Sequence, residues 1–233
     1  MAEANLMGKV VLITGAGSGF GRSMSKAFCA VGAQVVGVGR RLEKLEETAK
    51  IAGPRFTPIQ WDVSKAKEAA ALVAQVLEKL GTLHILVNDA AVMIDDDVPL
   101  SKLSLEKWDV TWQTNVSGML ALTQAAFEPM RRQRFGRIMN VTSGLGFFPM
   151  LEYGSYCVSK AAVNMMTRVF ALDGARDNIL VNAIDPGVAR TEMNPTASDS
   201  PDSINKVALF LAMLADSAHT GKCFNKRLQL VEW

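Results

Sequence analysis

A β-branched run, Lys9 to Thr14 (KVVLIT), breaks into Gly15-Ala16-Gly17-Ser18-Gly19-Phe20-Gly21 and then into a helical stretch that reaches about Val31. That order constrains the fold more than any other feature of the chain. A short, unbroken apolar run reads as a strand buried on both faces, the habit of a parallel sheet. Glycines let backbone approach a ligand closely, and the first turn of a helix offers free N–H groups and a partial positive charge. Strand, glycine loop and helix in that order therefore make a phosphate site. Gly15, Ser18, Gly19, Phe20 and Gly21 are its candidate contacts. The spacing is TGxxxGxG rather than GxGxxG, and a plain tight turn is the competing reading.

The next strand, Gln34 to Val38, runs into Gly39-Arg40-Arg41. Dinucleotide folds usually carry an acid here, which holds the adenosine ribose 2′-hydroxyl. No acid is present, and arginine suits a 2′-phosphate through bidentate contact. Arg40 and Arg41 thus favour NADP(H) over NAD(H), unless they only open a solvated helix. A third strand, near Arg55 to Gln60, leads into Trp61-Asp62-Val63. Asp62 has two readings of equal weight: it accepts a hydrogen bond from an adenine amino group, or it caps the helix that starts near Ser64.

Leu83 to Val87 is a fourth strand, followed by Asn88-Asp89-Ala90-Ala91. A long helical pattern over 104–130 contains Asn115. A fifth strand, Gly136 to Thr142, ends at Ser143, and Tyr156 and Lys160 follow on the next helix, expected over 153–172. Four residues apart on a helix, Tyr156 and Lys160 share one face. Free tyrosine titrates near about 10. A neighbouring ammonium lowers that value, and a tyrosine so tuned exchanges a proton with an alcohol or carbonyl oxygen. A lone YxxxK is a common pattern, and its meaning depends on the company it keeps.

Taken together, TGAGSGFG, the Asp62-Val63 pair, the NDAA turn, Asn115, Ser143, Tyr156, Lys160 and Pro186-Gly187 resemble a short-chain dehydrogenase/reductase of the single-domain type. The resemblance covers nearly the whole chain. It implies one dinucleotide-binding and catalytic domain over residues 1–233. The implied fold is α/β: a doubly wound Rossmann-type sheet of about seven parallel strands flanked by helices. It implies that Tyr156 is the general acid/base. Lys160 would hold the nicotinamide ribose and lower the Tyr156 pKa. Ser143 would hydrogen-bond the substrate oxygen, and Asn115 would hold a water that links Lys160 to solvent. Asp62, Val63, Asn88 and Ala90 would lie along the cofactor, with Pro186, Gly187, Val188 and Thr191 against the nicotinamide end. Hydride passes between nicotinamide and the substrate carbon.

Two positions depart from the family, which usually has NNAG where this chain has NDAA. Asp89 has the shape of Asn but, ionised, donates no hydrogen bond. If it is buried its pKa should rise, and Asp89→Asn should leave stability equal or higher. Ala91 adds a methyl near the cofactor path. Both weaken cofactor binding on this reading.

After a sixth strand, Ile179 to Ile184, a short polar lid over about 188–203 implies an open pocket. Pro201 to Ala215 has helical apolar spacing. Short lid, Ser-Pro before the last helix, Gly-x-x-Phe and terminal Trp233 resemble a carbonyl-reductase-like subgroup. Leu145, Phe147, Phe148, Met150 and Leu151, with Met93, Ile94, Val188 and Met193, point to an apolar pocket for a hydrophobic ketone or aldehyde. Phe147 and Phe148 serve equally well as core. Asp95-Asp96-Asp97 reads as a solvated loop.

A net charge of +2, with no basic stretch beyond short pairs, excludes nucleic acid as the expected partner. No uncharged apolar run is long enough to span a bilayer, and MAEANLMGK lacks the apolar stretch of a signal peptide. Three cysteines, Cys29, Cys157 and Cys223, fit buried thiols in a reducing cytoplasm, and nothing has metal-ligand spacing. The expected function is NADP(H)-dependent interconversion of a carbonyl and an alcohol, most readily as reduction. Reduction of an imine or enone is a rival within catalysis. A dinucleotide-binding scaffold without turnover is a rival outside it. The helices over 104–130 and 153–172 offer a homodimer or tetramer contact.

Overall fold

Every residue of β1 (Val10–Thr14) is buried, and its side chains alternate between two cores. Val11 and Ile13 face Met24 and Phe28 of α1 (Gly19–Ala30) and Leu211 of α7 (Asn205–Ala212). Val10 and Leu12 face Val73 of α3 (Ala69–Leu80), Leu122 of α5 (Met119–Arg132) and Phe170 of α6 (Gly154–Gly174). A strand clad on both faces must be apolar throughout, so KVVLIT shows no polar alternation.

This computed structural model describes residues 5–95, 97–216 and 218–232. Residues 1–4, Asp96, Ser217 and Trp233 lie outside the described residues, and with them part of the acidic run and the terminal Trp of the reductase-like ending. Among the described residues eight strands form one sheet. Besides β1 these are β2 (Gln34–Gly39), β3 (Phe56–Gln60), β4 (Ile85–Asn88), β5 (Gly136–Val141), β6 (Ile179–Asp185), β7 (Cys223–Asn225) and β8 (Leu230–Val231). Their order is β3-β2-β1-β4-β5-β6-β7-β8. Seven run parallel, as expected of a doubly wound α/β domain. The eighth, β8, turns back antiparallel on β7. It holds two residues, too few to show a period in sequence.

From β1 the chain winds outward to β2 and β3, then returns to β4 on the other side of β1. Such a reversal opens a crevice at the carboxyl ends of β1 and β4. The expected helix over 104–130 is in fact two. α4 (Leu105–Trp112) and α5 are joined by a π-helical turn, Gln113–Gly118, which carries Asn115. At its end Gly118 lies against backbone: a Cβ there would sit 2.2 Å from the Val63 carbonyl oxygen. The three cysteines are buried thiols. Among the described residues no helix is long and apolar enough to cross a membrane.

The tightest junction lies between α1 and the end of β1. A Cβ on Gly21 would sit 2.4 Å from the Gly15 carbonyl oxygen, which is backbone and cannot step aside. Overpacking of this kind costs about 1–3 kcal/mol. In a chain this size about 1 kcal/mol moves the melting temperature by about 2–4 °C. Gly21→Ala should therefore melt several degrees below wild type in a thermal scan. Gly39→Ala, whose Cβ would meet only Leu45 at 3.6 Å, should stay within about a degree. Equal melting of the two variants would show that the loop yields more freely than its geometry implies.

Candidate active site

A cleft of about 780 Å³ opens at the carboxyl ends of the strands. One end is walled by Gly15, Gly17, Ser18, Gly19 and Phe20, with Arg40, Arg41, Trp61 and Val63. The glycine loop is braced from behind. Thr48 of α2 (Leu42–Ala52) donates to the Ala16 carbonyl at 2.9 Å, and the Arg22 guanidinium donates to the Gly17 carbonyl. Neither brace carries a signal in the sequence. Gly15 has φ +71°, which glycine alone adopts freely, and a Cβ there would meet Ala90 at 3.1 Å. A Cβ on Gly19 would meet Thr191 at 3.1 Å. The loop is thus a cradle that side chains would fill, with the first N–H groups of α1 beside it. A dinucleotide phosphate fits these donors.

The candidate cofactor residues do not all reach this cleft. Ala90, Pro186, Gly187, Val188 and Thr191 line it. Gly21 lies behind Gly15. Asp62 turns its carboxylate to the N–H and hydroxyl of Ser64, at 3.0 and 2.9 Å, within a turn that precedes the first helical residue, Ala66, so it closes a turn and caps no helix; its neighbours Trp61 and Val63 face the cleft instead. Asn88 is buried behind the wall and donates to Asn140 at 2.8 Å and Thr123 at 3.1 Å.

The other end of the cleft gathers Ser143, Tyr156 and Lys160. Tyr156 and Lys160 are buried on one face of α6. The Ser143 hydroxyl lies within hydrogen-bonding reach of the phenol. Lys160 donates from its ammonium to the Val141 carbonyl at 2.8 Å, and the ammonium is 5.5 Å from the Tyr156 ring centroid. Asn115 stands one layer back. Its Oδ1 accepts from Val92 N–H at 2.8 Å, and its Nδ2 donates to the Val92 carbonyl at 2.9 Å and the Ser159 hydroxyl at 3.0 Å. Its side chain clamps the irregular segment after the NDAA turn to α6. A small cavity of about 10 Å³ lies between Asn88, Asn115 and Lys160.

Electrostatics reverse one expectation. Burial pushes the Tyr156 phenol up to about 12; the Ser143 hydrogen bond opposes this, and the charges of Asp89 and Asp185 add to it. The same burial pulls Lys160 down to about 8, with Asp89 pulling the other way. Desolvation is the largest influence on the tyrosine at this depth, and it acts against the lowering expected from Lys160. Asp89 follows the expectation: burial lifts it to about 7, against the attraction of Lys160 and a backbone hydrogen bond at Gly21.

Three acids were not read as parts of the site. Asp95, expected in a solvated loop, is buried and accepts from the Ser155 and Tyr156 N–H groups at 3.0 and 3.3 Å. It caps the helix that carries the tyrosine. Asp185 ends β6, lines the cleft and accepts from Gly187 N–H at 3.1 Å. Glu192 also lines the cleft and pairs with Arg41 at 2.6 Å. Of the apolar candidates, Leu145, Phe148, Met150, Met93, Ile94, Val188 and Met193 face the cleft; Phe147 and Leu151 do not line it.

A family model described as short chain dehydrogenase matches residues 9–202. The chain is 32% identical to a 3-oxoacyl-acyl-carrier-protein reductase of Thermotoga maritima, covering 93% of this chain and 95% of that one. It is 31% identical to an NAD-dependent glycerol dehydrogenase of Listeria innocua, covering 94% and 92%. A solved short-chain type dehydrogenase/reductase from Mycobacterium marinum superposes with a TM-score of 0.87 at 29% identity, covering 95% and 94%. The chain belongs to the short-chain dehydrogenase/reductase family of nicotinamide-dependent oxidoreductases.

Asp89 gives this site a pH signature. Its folded pKa lies above its ordinary 3.8. A group so shifted stabilises the fold below its unfolded pKa, and that contribution is lost as pH rises through about 7. Asp89→Asn removes the ionised form and keeps the shape. Its melting temperature should match wild type only near pH 4 and exceed it by a margin that widens up to about pH 7, reaching at least about 2–4 °C near pH 8, the shift that about 1 kcal/mol produces. A gain that shrinks with rising pH would show that the Asp89 carboxylate has a stronger partner than Lys160.

Proposed function

We propose that this chain reduces carbonyl compounds with NADPH, and oxidises the matching alcohols in reverse. The observation that carries this reading is the gathering of Ser143, Tyr156 and Lys160 at one end of the dinucleotide cleft, with the phenol held in its protonated form by burial. A neutral phenol is a proton donor, which suits reduction.

Bound nicotinamide supplies the hydride. The Ser143 hydroxyl orients the substrate oxygen toward the phenol. Tyr156 gives that oxygen its proton as negative charge develops there. Lys160, anchored on the Val141 carbonyl with its Nζ 5.5 Å from the Tyr156 ring centroid, keeps its charge below about pH 8 and there offsets the phenolate left behind. The cavity beside Asn115 has room for about one water, which supports the relay from Lys160. Leu145, Phe148, Met150 and Met193 support an apolar substrate, with the Asp185 carboxylate as the polar exception on that wall. Arg40 and Arg41, with no acid on β2, support NADP(H).

Tyr156→Phe separates catalysis from scaffolding. Turnover of apolar ketones and aldehydes, followed by NADPH absorbance, should fall at least about 100-fold, while NADPH still changes the protein fluorescence on titration. Wild-type turnover in this variant would remove Tyr156 as the proton donor. Binding without turnover of any carbonyl, imine or enone by the wild-type chain would favour the scaffold reading.

An exposed apolar stripe supports a dimer through the expected helices. Val158, Met165, Val169 and Leu172 lie along one face of α6, beside Val110 of α4. Leu172, 79% exposed, is the largest outlier. Leu172→Glu should shift the mass seen by light scattering toward one chain while the melting profile stays cooperative. A mass unchanged from wild type would place the interface elsewhere.

A further inference from the structure

The ribose end of the cleft holds a carboxylate that β2 lacks. Glu192 arrives from the segment after β6, 151 residues beyond its partner Arg41. The two are ion-paired at 2.6 Å, and the Ser18 hydroxyl faces the same carboxylate. Ser18, Arg41 and Glu192 all line the cleft. The segment is seated firmly there, because its neighbour Thr191 packs directly on Gly19 of the phosphate loop. Two other acids act on Arg41: Glu47 on α2 is taken up by Lys44 and Arg22, and Glu43 does not line the cleft. Arg40 makes no ion pair among the described residues. One guanidinium at this end is therefore free, and one is already neutralised by a movable acid.

We infer that Glu192 sets the balance between NAD(H) and NADP(H), standing in for the acid that β2 lacks. This rests on the reading of the cleft as a dinucleotide site. A ribose 2′-hydroxyl donates to the Glu192 carboxylate, which keeps its pairing with Arg41. A 2′-phosphate competes with that carboxylate for the same guanidinium and the same Ser18 hydroxyl. Glu192 must then leave, and its charge opposes the phosphate until it does. The pair is about half exposed, 49% for Arg41 and 54% for Glu192, so it is weak enough to be displaced. The outcome is a bias and not a block. NADP(H) binds, with a smaller preference than two unpaired arginines would give.

The test is a fluorescence titration of the full chain with NADPH and NADH, and with adenosine 2′,5′-bisphosphate and AMP as probes that carry no nicotinamide. Wild type, Glu192→Gln and Arg41→Ala are compared. Glu192→Gln should bind NADPH and the bisphosphate about 10-fold more tightly and bind NADH and AMP a few-fold more weakly. Arg41→Ala should lose NADPH affinity. The Glu192→Gln gain should shrink in high salt, since screening weakens the repulsion it relieves. An unchanged NADPH-to-NADH ratio in Glu192→Gln, with both dinucleotides bound, overturns the inference and leaves the dehydrogenase reading standing. Failure of every probe to bind the wild-type chain overturns both.

Discussion

Three stretches of backbone meet near Gly15 because neither Gly15 nor Gly21 carries a side chain. A Cβ on Gly21 would sit 2.4 Å from the Gly15 carbonyl oxygen and 2.9 Å from a carboxylate oxygen of Asp89. A Cβ on Gly15 would sit 3.1 Å from Ala90. The Thr14 hydroxyl closes the junction by accepting from the N–H groups of Asp89 and Ala90 at 2.9 and 3.0 Å. This contact locks the start of α1 to the ends of β1 and β4. It aims the free N–H groups of α1 into the crevice that the strand order opens. It also traps the Asp89 carboxyl away from water, within electrostatic reach of Lys160 and Tyr156.

Burial then decides the chemistry of that end. Asp89, Tyr156 and Lys160 are each pushed toward the neutral form by desolvation, and the Asp89 charge acts on both of the others. Protonating Asp89 withdraws a charge that raises both Tyr156 and Lys160. Asp89 and Lys160 therefore titrate together, and the charge state of Asp89 is felt at the Tyr156 phenol. An Asn at position 89 would separate the donor from this coupling. The NDAA turn is thus more than a weakened copy of NNAG: it ties the turn beneath the phosphate loop to the ionisation of Tyr156 and Lys160.

Much of this was legible in the sequence. The strand, glycine loop and helix at the start are local signals, and a strand that must be apolar on both faces announces itself. The spacing of Ser143, Tyr156 and Lys160 resembles a known family because the same loop and the same helix face must deliver all three. What could not be read depends on tertiary contact. The residues on either side, Trp112 and Met119, keep ordinary helical angles, so the π turn at Asn115 is hidden. Asp95 sits in an acidic run that looks solvated, and only the N-terminus of α6 makes it a cap. The sign of the Tyr156 shift follows from depth, which a YxxxK pattern does not encode. Asp62 offered two readings, and the neighbouring Ser64 is the partner it faces.

The segment between β6 and α7 was expected to leave the pocket open because it is short. Its length matters less than its ties. Arg190 N–H donates to the Asp199 carbonyl at 2.8 Å, Thr191 and Asn194 exchange backbone hydrogen bonds, and Lys226 beside β7 pairs with the Asp199 carboxylate. Between these ties Val188 and Met193 face the apolar end of the cleft, and Thr191 and Glu192 face the phosphate loop and Arg41. Consecutive side chains thus serve both ends of one cleft. The half-exposed Glu192 side chain can still swing off Arg41 about its own bonds, whereas a shift of the backbone beneath it would carry the neighbouring Met193 as well. The ribose end and the substrate wall thus share one backbone segment.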